Sequence, residues 1–316
     1  MMKNFLNIHD VENTEKLAQQ AIALKQNRFA YKHLGENKTM VLLFLNSSLR
    51  TRISTQKAAQ NLGMNTIILN LTQDSWQMEY EDGAIMNSDK AEHIKEGAAV
   101  IAEYADIIGI RAFPSLTDRE KDYSEYILSK FLENVKVPVV NMESATVHPL
   151  QSLTDLVTIK EHTTKPKPKV VLSWAPHIKP LPQCVANSFA EWMNKSDVEF
   201  IITHPEGYEL SKPFSGNASI IYNQDEAFKN ADFIYAKNWS SYTNYGKIIG
   251  EHNDWMITDK KMQLTNNAKF MHCLPTRRNV EVADDVLDSA YSLVIQQAAN
   301  REFAAQIVLK NLLEHN

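Results

Sequence analysis

Between Val11 and Lys25 the apolar residues Val11, Leu17, Ala18, Ala21, Ile22 and Leu24 recur at helical spacing, which predicts an amphipathic opening helix. A continuous apolar run, Met40-Val41-Leu42-Leu43-Phe44-Leu45, predicts a buried strand over about 39–45. The pattern turns helical over 53–62 and is stopped by Gly63, and 65–71 reads as the next strand. The alternation then breaks. Residues 72–89 form a polar segment holding Trp76, Glu79, Glu81, Asp82 and Gly83, longer than an ordinary strand-to-helix connection. A helix over about 91–104, a strand over 106–111, a helix over about 123–132 and a strand over 137–141 complete the first series.

Past His148-Pro149-Leu150-Gln151 a helix is expected to reach about His162, and Thr163-Thr164-Lys165-Pro166-Lys167-Pro168 is the most linker-like stretch. Strands are expected at 169–174, 198–203, 219–222, 232–236 and 270–273, with helices at 182–193 and 225–230 and a long amphipathic helix at the end. Two alternating series predict an α/β protein of two doubly wound parallel-sheet domains with an inter-domain active-site cleft. The first domain would span 1–147 and the second 148–296, with the last helix, about 297–316, packing back on the first.

Composition narrows the class. At 316 residues, 44% of them hydrophobic, the chain can build a core in each of two domains of roughly 150 residues. A net charge of −5 with scattered basic residues argues against nucleic acid, so a small molecule or a protein is the expected partner. Cys184 and Cys273 form no metal-ligand or disulfide pattern, and no metal or cofactor is expected. The amino terminus lacks a signal-type apolar region and no stretch reaches the ~20 apolar residues of a membrane span, which leads to the expectation of a cytoplasmic protein with no membrane partner. No GxGxxG follows any strand, which removes the Rossmann dinucleotide reading.

Candidate chemistry gathers at strand ends. Asn46-Ser47-Ser48-Leu49-Arg50-Thr51-Arg52 joins a buried strand to a helix start, where free N–H groups and guanidiniums form an anion cradle. A capped helix with two surface arginines would have the same composition. Arg111 ends its strand and would serve either a phosphate or a neighbouring carboxylate; His148 would be a site imidazole or a satisfied loop histidine. The segment Phe270-Met271-His272-Cys273-Leu274-Pro275-Thr276-Arg277-Arg278-Asn279 closes the second half.

Ser-x-Arg-Thr-Arg at 48–52, a strand-terminal arginine, His-Pro-x-Gln at 148–151 and His-Cys-Leu-Pro at 272–275, in that order, resemble the aspartate/ornithine carbamoyltransferase superfamily over nearly the whole chain. The resemblance implies that Ser48, Leu49, Arg50, Thr51 and Arg111 hold the phosphate of carbamoyl phosphate. Trp76 would reach into a neighbouring subunit's site of a homotrimer with shared active sites. His148, Gln151, Arg111 and Thr51 would surround the carbamoyl group, with Pro149 and Leu150 beside them. The carbonyls of Cys273 and Leu274 would orient the carbamoyl nitrogen and the amine, through a cis Leu274–Pro275 bond, and Arg301 would complete the shell. Arg111, His148 and Thr51 would be the catalytic residues.

The acceptor follows from a departure. Where the ornithine branch has an aspartate and then Ser-Met-Gly, which recognise a free α-amino group, this chain has Lys237 in Ile234-Tyr235-Ala236-Lys237-Asn238-Trp239-Ser240-Ser241-Tyr242. Lysine repels an ammonium and favours a blocked α-nitrogen and a carboxylate. The resemblance is therefore to the branch acting on Nα-acylated ornithine, in which Glu143, His177, Lys237 and Arg277 match the acceptor-binding positions. Ala91 stands at the branch's selector position, where a glutamate accompanies acetyl and a proline succinyl acceptors. A small uncharged residue leaves room for the longer acyl group without repelling its carboxylate, so succinyl is expected over acetyl. A non-catalytic paralogue would retain the fold without the turnover.

Overall fold

The computed structural model describes residues 2–314. Two compact units divide the chain: Met1–Glu12, Gln20–Leu150 and Arg301–Asn316 form the first, and Asn13–Gln19 with Gln151–Asn300 the second. The first division falls three residues later than the 147/148 boundary read from the sequence, and a short piece of the opening helix joins the second unit. That piece is held there by polar contacts: Lys160 Nζ meets Glu15 Oε2 at 2.6 Å and Thr14 Oγ1 donates to Lys195 O at 3.3 Å. The last helix, expected over about 297–316, starts earlier and runs Val294–Leu313; residues 315 and 316 lie outside the described residues.

In the first unit, β1 (Thr39–Phe44), β2 (Asn65–Asn70), β5 (Ile107–Arg111) and β6 (Val139–Glu143) form a parallel sheet in the order β2-β1-β5-β6. β3 (Met78–Glu79) and β4 (Glu92–His93) pair separately; β3 lies inside the polar segment 72–89, whereas β4 takes the first residues of the helix expected over about 91–104, which begins at Ile94. Met40–Phe44 are all buried, as expected of a strand covered on both faces, which is why it reads as unbroken apolar sequence. The second unit contains β7 (Lys169–Trp174), β8 (Glu199–Thr203), β9 (Ser219–Ile221), β10 (Phe233–Lys237) and β11 (Lys269–Met271), again parallel, in the order β11-β10-β7-β8-β9.

Both sheets reverse their winding beside their first strand, between β1 and β5 and between β7 and β10. A crevice opens at the carboxyl ends of the strands at such a reversal, and ligands of open α/β sheets bind there. Both sheets also set their register with the same device. Asp106, just before β5, donates its N–H to Thr39 O at 2.8 Å and accepts Thr39 N on Oδ2 at 2.7 Å. Asp232, just before β10, does the same to Lys169, at 2.9 Å for each bond. The carboxylate thus satisfies the first amide of the neighbouring strand, which has no ladder partner of its own.

Asp232 also accepts Lys165 Nζ at 2.7 Å and Asn266 Nδ2 at 2.8 Å. Asp232→Ala removes the carboxylate that three donors share at the sheet's start and should lower unfolding free energy by about 1–3 kcal/mol, with Asp232→Asn costing less. Urea denaturation followed by tryptophan fluorescence, whose five tryptophans include four in the second unit's sequence range, checks the ordering of the two variants.

Candidate active site

The helix after β1 begins at Arg50, three residues before the apolar periodicity starts, because polar Arg50, Thr51 and Arg52 form its first turn. Its N-cap, Leu49, makes no side-chain capping bond, so the N–H groups of the first turn stay directed past the end of β1. Thr51 is buried, Ser48 and Arg50 are partly buried, and Leu49 and Arg52 are exposed. Arg301 Nη2 donates to Thr51 Oγ1 at 2.6 Å, bringing a residue 250 positions away onto the cradle.

Arg111 and Glu143 end adjacent strands, and both are buried. Arg111 Nε and Nη2 each lie 3.0 Å from Glu143 Oε2, while Nη1 donates to Asn46 O at 3.1 Å and Ser47 O at 2.6 Å. The guanidinium stacks 4.2 Å over the Phe113 ring, and Phe113 N donates to Asn46 Oδ1 at 2.7 Å. Glu143 was expected with the acceptor-binding set; the structure places it in the first unit as the counter-ion of Arg111.

His148 Nε2 lies 3.7 Å from the same Glu143 oxygen. Burial pushes the imidazole down to about 3; the Arg301 and Arg111 cations act in the same direction and Glu143 opposes them. His148 is therefore neutral. The loop between Glu143 and His148 is held by Glu125, whose carboxylate accepts Ser144 Oγ at 2.7 Å, Thr146 N at 2.9 Å, Ala145 N at 3.2 Å and the Thr146 hydroxyl. Pro149 and Leu150 follow, buried, at the start of the helix Pro149–His162.

Trp76 and Ala91 lie on the long connection after β2, and both are exposed. Trp76 Nε1 donates to Glu92 Oε2 at 2.8 Å, and Ala91 N donates to Gln77 O at 3.1 Å. The root of the connection is clamped by ion pairs from Glu79 to Lys90, Glu81 to Lys121 and Asp82 to Lys95 and Lys130.

In the second unit, Gln151 and Gln297 both donate from Nε2 to Asp155 Oδ1 at 2.7 Å. Gln297 Oε1 accepts His272 N at 2.9 Å, and His272 Nδ1 accepts Leu274 N at 2.9 Å, so the segment carrying Cys273 and Leu274 is fixed at both ends. The Leu274–Pro275 peptide is cis. Asp155 could have been found in the sequence from its position four residues after Gln151 on one helix face; Gln297 carries no such signal.

Lys237 ends β10, buried, beside the end of β7. Ala175 N donates to Lys237 O at 3.2 Å, Asn238 Nδ2 to Ala175 O at 2.6 Å and Trp174 Nε1 to Trp239 O at 2.9 Å, which locks the two strand exits together. His177 follows on the β7 side, where Arg277 Nε donates to its Nε2 at 3.1 Å. An arginine N–H only donates, so Nε2 accepts and Nδ1 faces Lys179 O at 2.9 Å. Burial lowers the affinity of His177 for a second proton; the Lys237 and Arg277 cations add to this, while Lys179 O and Glu281 oppose it. Arg278, by contrast, pairs with Asp284 and Asp288 on the surface.

Glu281 was not singled out by the sequence. It is buried, and its Oε2 accepts Arg277 N at 2.6 Å and Thr276 Oγ1 at 3.2 Å. Burial pushes its carboxyl up, but His272, the Lys237 cation and the Arg277 N–H together outweigh that and hold it at about 2. Among the described residues no group of His, Cys, Asp or Glu is placed to hold a metal ion, and no helix is long and apolar enough to cross a membrane.

An anion cradle backed by a neutral imidazole, and a separate cationic set beside a rigid carbonyl-bearing segment, define a parallel α/β group transferase. The chain belongs to the aspartate/ornithine carbamoyltransferase family: residues 3–161 match its carbamoyl-P binding domain and residues 183–312 its Asp/Orn binding domain. An N-succinylornithine carbamoyltransferase of Bacteroides fragilis (strain 638R) is 54% identical over 316 residues, 99% of each chain. An N-acetylornithine carbamoyltransferase of Xanthomonas campestris pv. campestris is 34% identical over 336 aligned positions, 99% of this chain and 98% of the other. A crystal structure of an N-acetyl-L-ornithine transcarbamylase with a glutamate replaced by alanine, complexed with carbamyl phosphate and N-succinyl-L-norvaline, superposes with a TM-score of 0.92 at 34% identity, covering 98% and 99% of the two chains.

The depressed proton affinity of His148 has a measurable sign. The folded state keeps the imidazole neutral down to about 3, whereas the unfolded chain takes up a proton near its ordinary 6.5. The contribution to stability is therefore complete above about pH 6.5 and lost as pH falls toward about 3. In His148→Gln the fall in unfolding free energy between about pH 6.5 and pH 4 should be shallower than in the parent. Identical slopes in denaturant titrations at several pH values would show that the imidazole is not desolvated.

Proposed function

We propose that this protein transfers the carbamoyl group of carbamoyl phosphate to the side-chain amine of N2-succinyl-L-ornithine, giving N-succinyl-L-citrulline and phosphate, a step of arginine biosynthesis. The observation that carries the acceptor assignment is Lys237, buried at the winding reversal of the second sheet with Arg277 and His177 near it. Two cations at that place suit an acceptor bearing carboxylates on both its backbone and its acyl group, and disfavour the free α-ammonium of ornithine. The 54% identity to the succinylornithine enzyme over the full chain supports the same acceptor.

In this reading Ser48, Leu49, Arg50 and Thr51 bind the phosphate, with Arg301 and Arg111 adding guanidinium N–H groups. The neutral amine attacks the carbamoyl carbon, negative charge grows on the carbonyl oxygen, and the carbon–oxygen bond to phosphate breaks as phosphate departs with the electron pair and takes up the proton that the attacking nitrogen sheds. Arg111, Thr51 and His148 donate to the oxygen on which charge develops, a preorganised stabilisation that needs no proton transfer from the protein. A neutral His148 still offers one N–H, and it neither repels the guanidiniums nor titrates near neutral pH. Gln151 and the carbonyls of Cys273 and Leu274 receive the carbamoyl nitrogen. His177, Lys237 and Arg277 hold the acceptor, and Glu143 serves by fixing Arg111 in addition to any contact with the acceptor.

Trp76 and Ala91 lie on the same exposed connection, and both serve a neighbouring subunit in a homotrimer with shared active sites. Ala91 is then the residue that admits the succinyl chain. The acetylornithine enzyme with a glutamate replaced by alanine is complexed with a succinylated ligand, which supports a small side chain as the permissive feature.

A colorimetric citrulline assay with carbamoyl phosphate and ornithine, acetylornithine or succinylornithine should give turnover with succinylornithine at the highest kcat/KM. Turnover with ornithine alone would remove the acyl-branch reading, a preference for acetylornithine would reassign the acyl group, and no turnover with any acceptor would leave a binding protein. Ala91→Glu should shift the preference toward acetylornithine by about tenfold or more, from the like-charge contact it introduces. An unchanged ratio would show that Ala91 does not select the acyl group.

A further inference from the structure

The buried carboxylate of Asp155 has no part in the scheme above. It is fully buried on the helix Pro149–His162, and Oδ1 accepts the Nε2 groups of Gln151 and Gln297, each at 2.7 Å. From Gln297 the chain of bonds continues through His272 N to Leu274 N, each at 2.9 Å. The buried Tyr235 hydroxyl on β10 interacts with both Asp155 and Cys273.

Asp155 Oδ1 accepts both bonds, whereas a side-chain amide has one donating and one accepting end. Facing Asp155, each glutamine must present its –NH2 group. Gln297 is fixed twice, because His272 N is a backbone donor and demands the amide oxygen on the other side. Gln151 is fixed by the bond from its Nε2 to Asp155 Oδ1, which makes its Oε1 the end that receives donors. The carbamoyl –NH2 is such a donor, and it is what distinguishes carbamoyl phosphate from an acyl phosphate with a methyl group in the same place.

We propose that Asp155 is a positioning residue that makes the site selective for the carbamoyl nitrogen, by turning the Gln151 amide oxygen toward that –NH2 and by holding, through Gln297 and His272, the segment whose carbonyls meet the same nitrogen. This rests on the donor reading given above. Asp155 touches no substrate; it acts through two amides whose orientation it dictates. The phosphate half of the donor site lies on other residues and is independent of it. Loss of Asp155 therefore affects recognition of the nitrogen and leaves recognition of the phosphate.

The test compares three ligands in the full-length enzyme: inorganic phosphate and acetyl phosphate as competitive inhibitors, and carbamoyl phosphate as substrate. In Asp155→Asn, which keeps the volume and exchanges one carboxyl oxygen for an –NH2 donor, the inhibition constant for phosphate should stay at the parental value. The preference for carbamoyl phosphate over acetyl phosphate should fall by about tenfold or more, with kcat reduced. Gln297→Met cuts only the arm to His272 and should lower the same ratio by a smaller factor; it decides the question if Asp155→Asn does not fold. A uniform weakening of all three ligands with the ratio intact would make Asp155 a packing group and overturn the proposal. A parent enzyme without any preference for carbamoyl over acetyl phosphate would overturn the donor reading itself, and the role of Asp155 with it.

Discussion

The ion pair between Arg111 and Glu143 is the constraint on which the first unit's site depends. A buried guanidinium is tolerated only where its N–H groups are paired, and here they reach Glu143 and the carbonyls of Asn46 and Ser47. Three strand exits, from β1, β5 and β6, are thereby held against one side chain. Removing either partner would leave a buried charge uncompensated, which typically costs about 3–5 kcal/mol. Arg111 is for that reason structural, and pairing with a carboxylate does not compete with the phosphate reading that its sequence position also allows.

Electrostatics separates the roles of the two units. In the first, guanidiniums surround a neutral imidazole, which suits a doubly charged phosphate and a carbonyl that gains charge only as it reacts. In the second, Lys237 and Arg277 are balanced by one buried carboxylate, Glu281, kept ionised by its neighbours. This cluster accordingly keeps an excess of positive charge, and it is held by the interlocked strand exits at Trp174 and Lys237.

The same architecture is used twice with different contents. In each sheet an aspartate ahead of a central strand sets the register, at Asp106 and Asp232, and the candidate site residues Arg111 and Lys237 lie at the opposite, carboxyl ends. The register device and the site therefore sit at opposite ends of the same strands. A strand that slipped by one residue would turn Arg111 or Lys237 to the other face of its sheet, so the aspartates protect the site from a distance.

The strands were legible in the sequence because buried parallel strands are unbroken apolar runs, and Arg111 and Lys237, which end strands, and Ser48 and His148, which follow shortly after strands, stood out as candidates because a polar group there interrupts the apolar pattern. Helix limits were less so: the first turn of the helix at Arg50 is polar, and periodicity does not register it. Tertiary structure alone decided the partners. That Glu143 neutralises Arg111, that Arg301 reaches Thr51, that Asp155 joins Gln151 to Gln297 and that Glu281 faces Lys237 depend on contacts between residues from about 30 to 250 positions apart along the chain, apart from the local Gln151–Asp155 bond. Hydrophobic pattern records which side chains must leave water; it holds no record of which buried polar groups meet, because that follows from how the strands and helices pack.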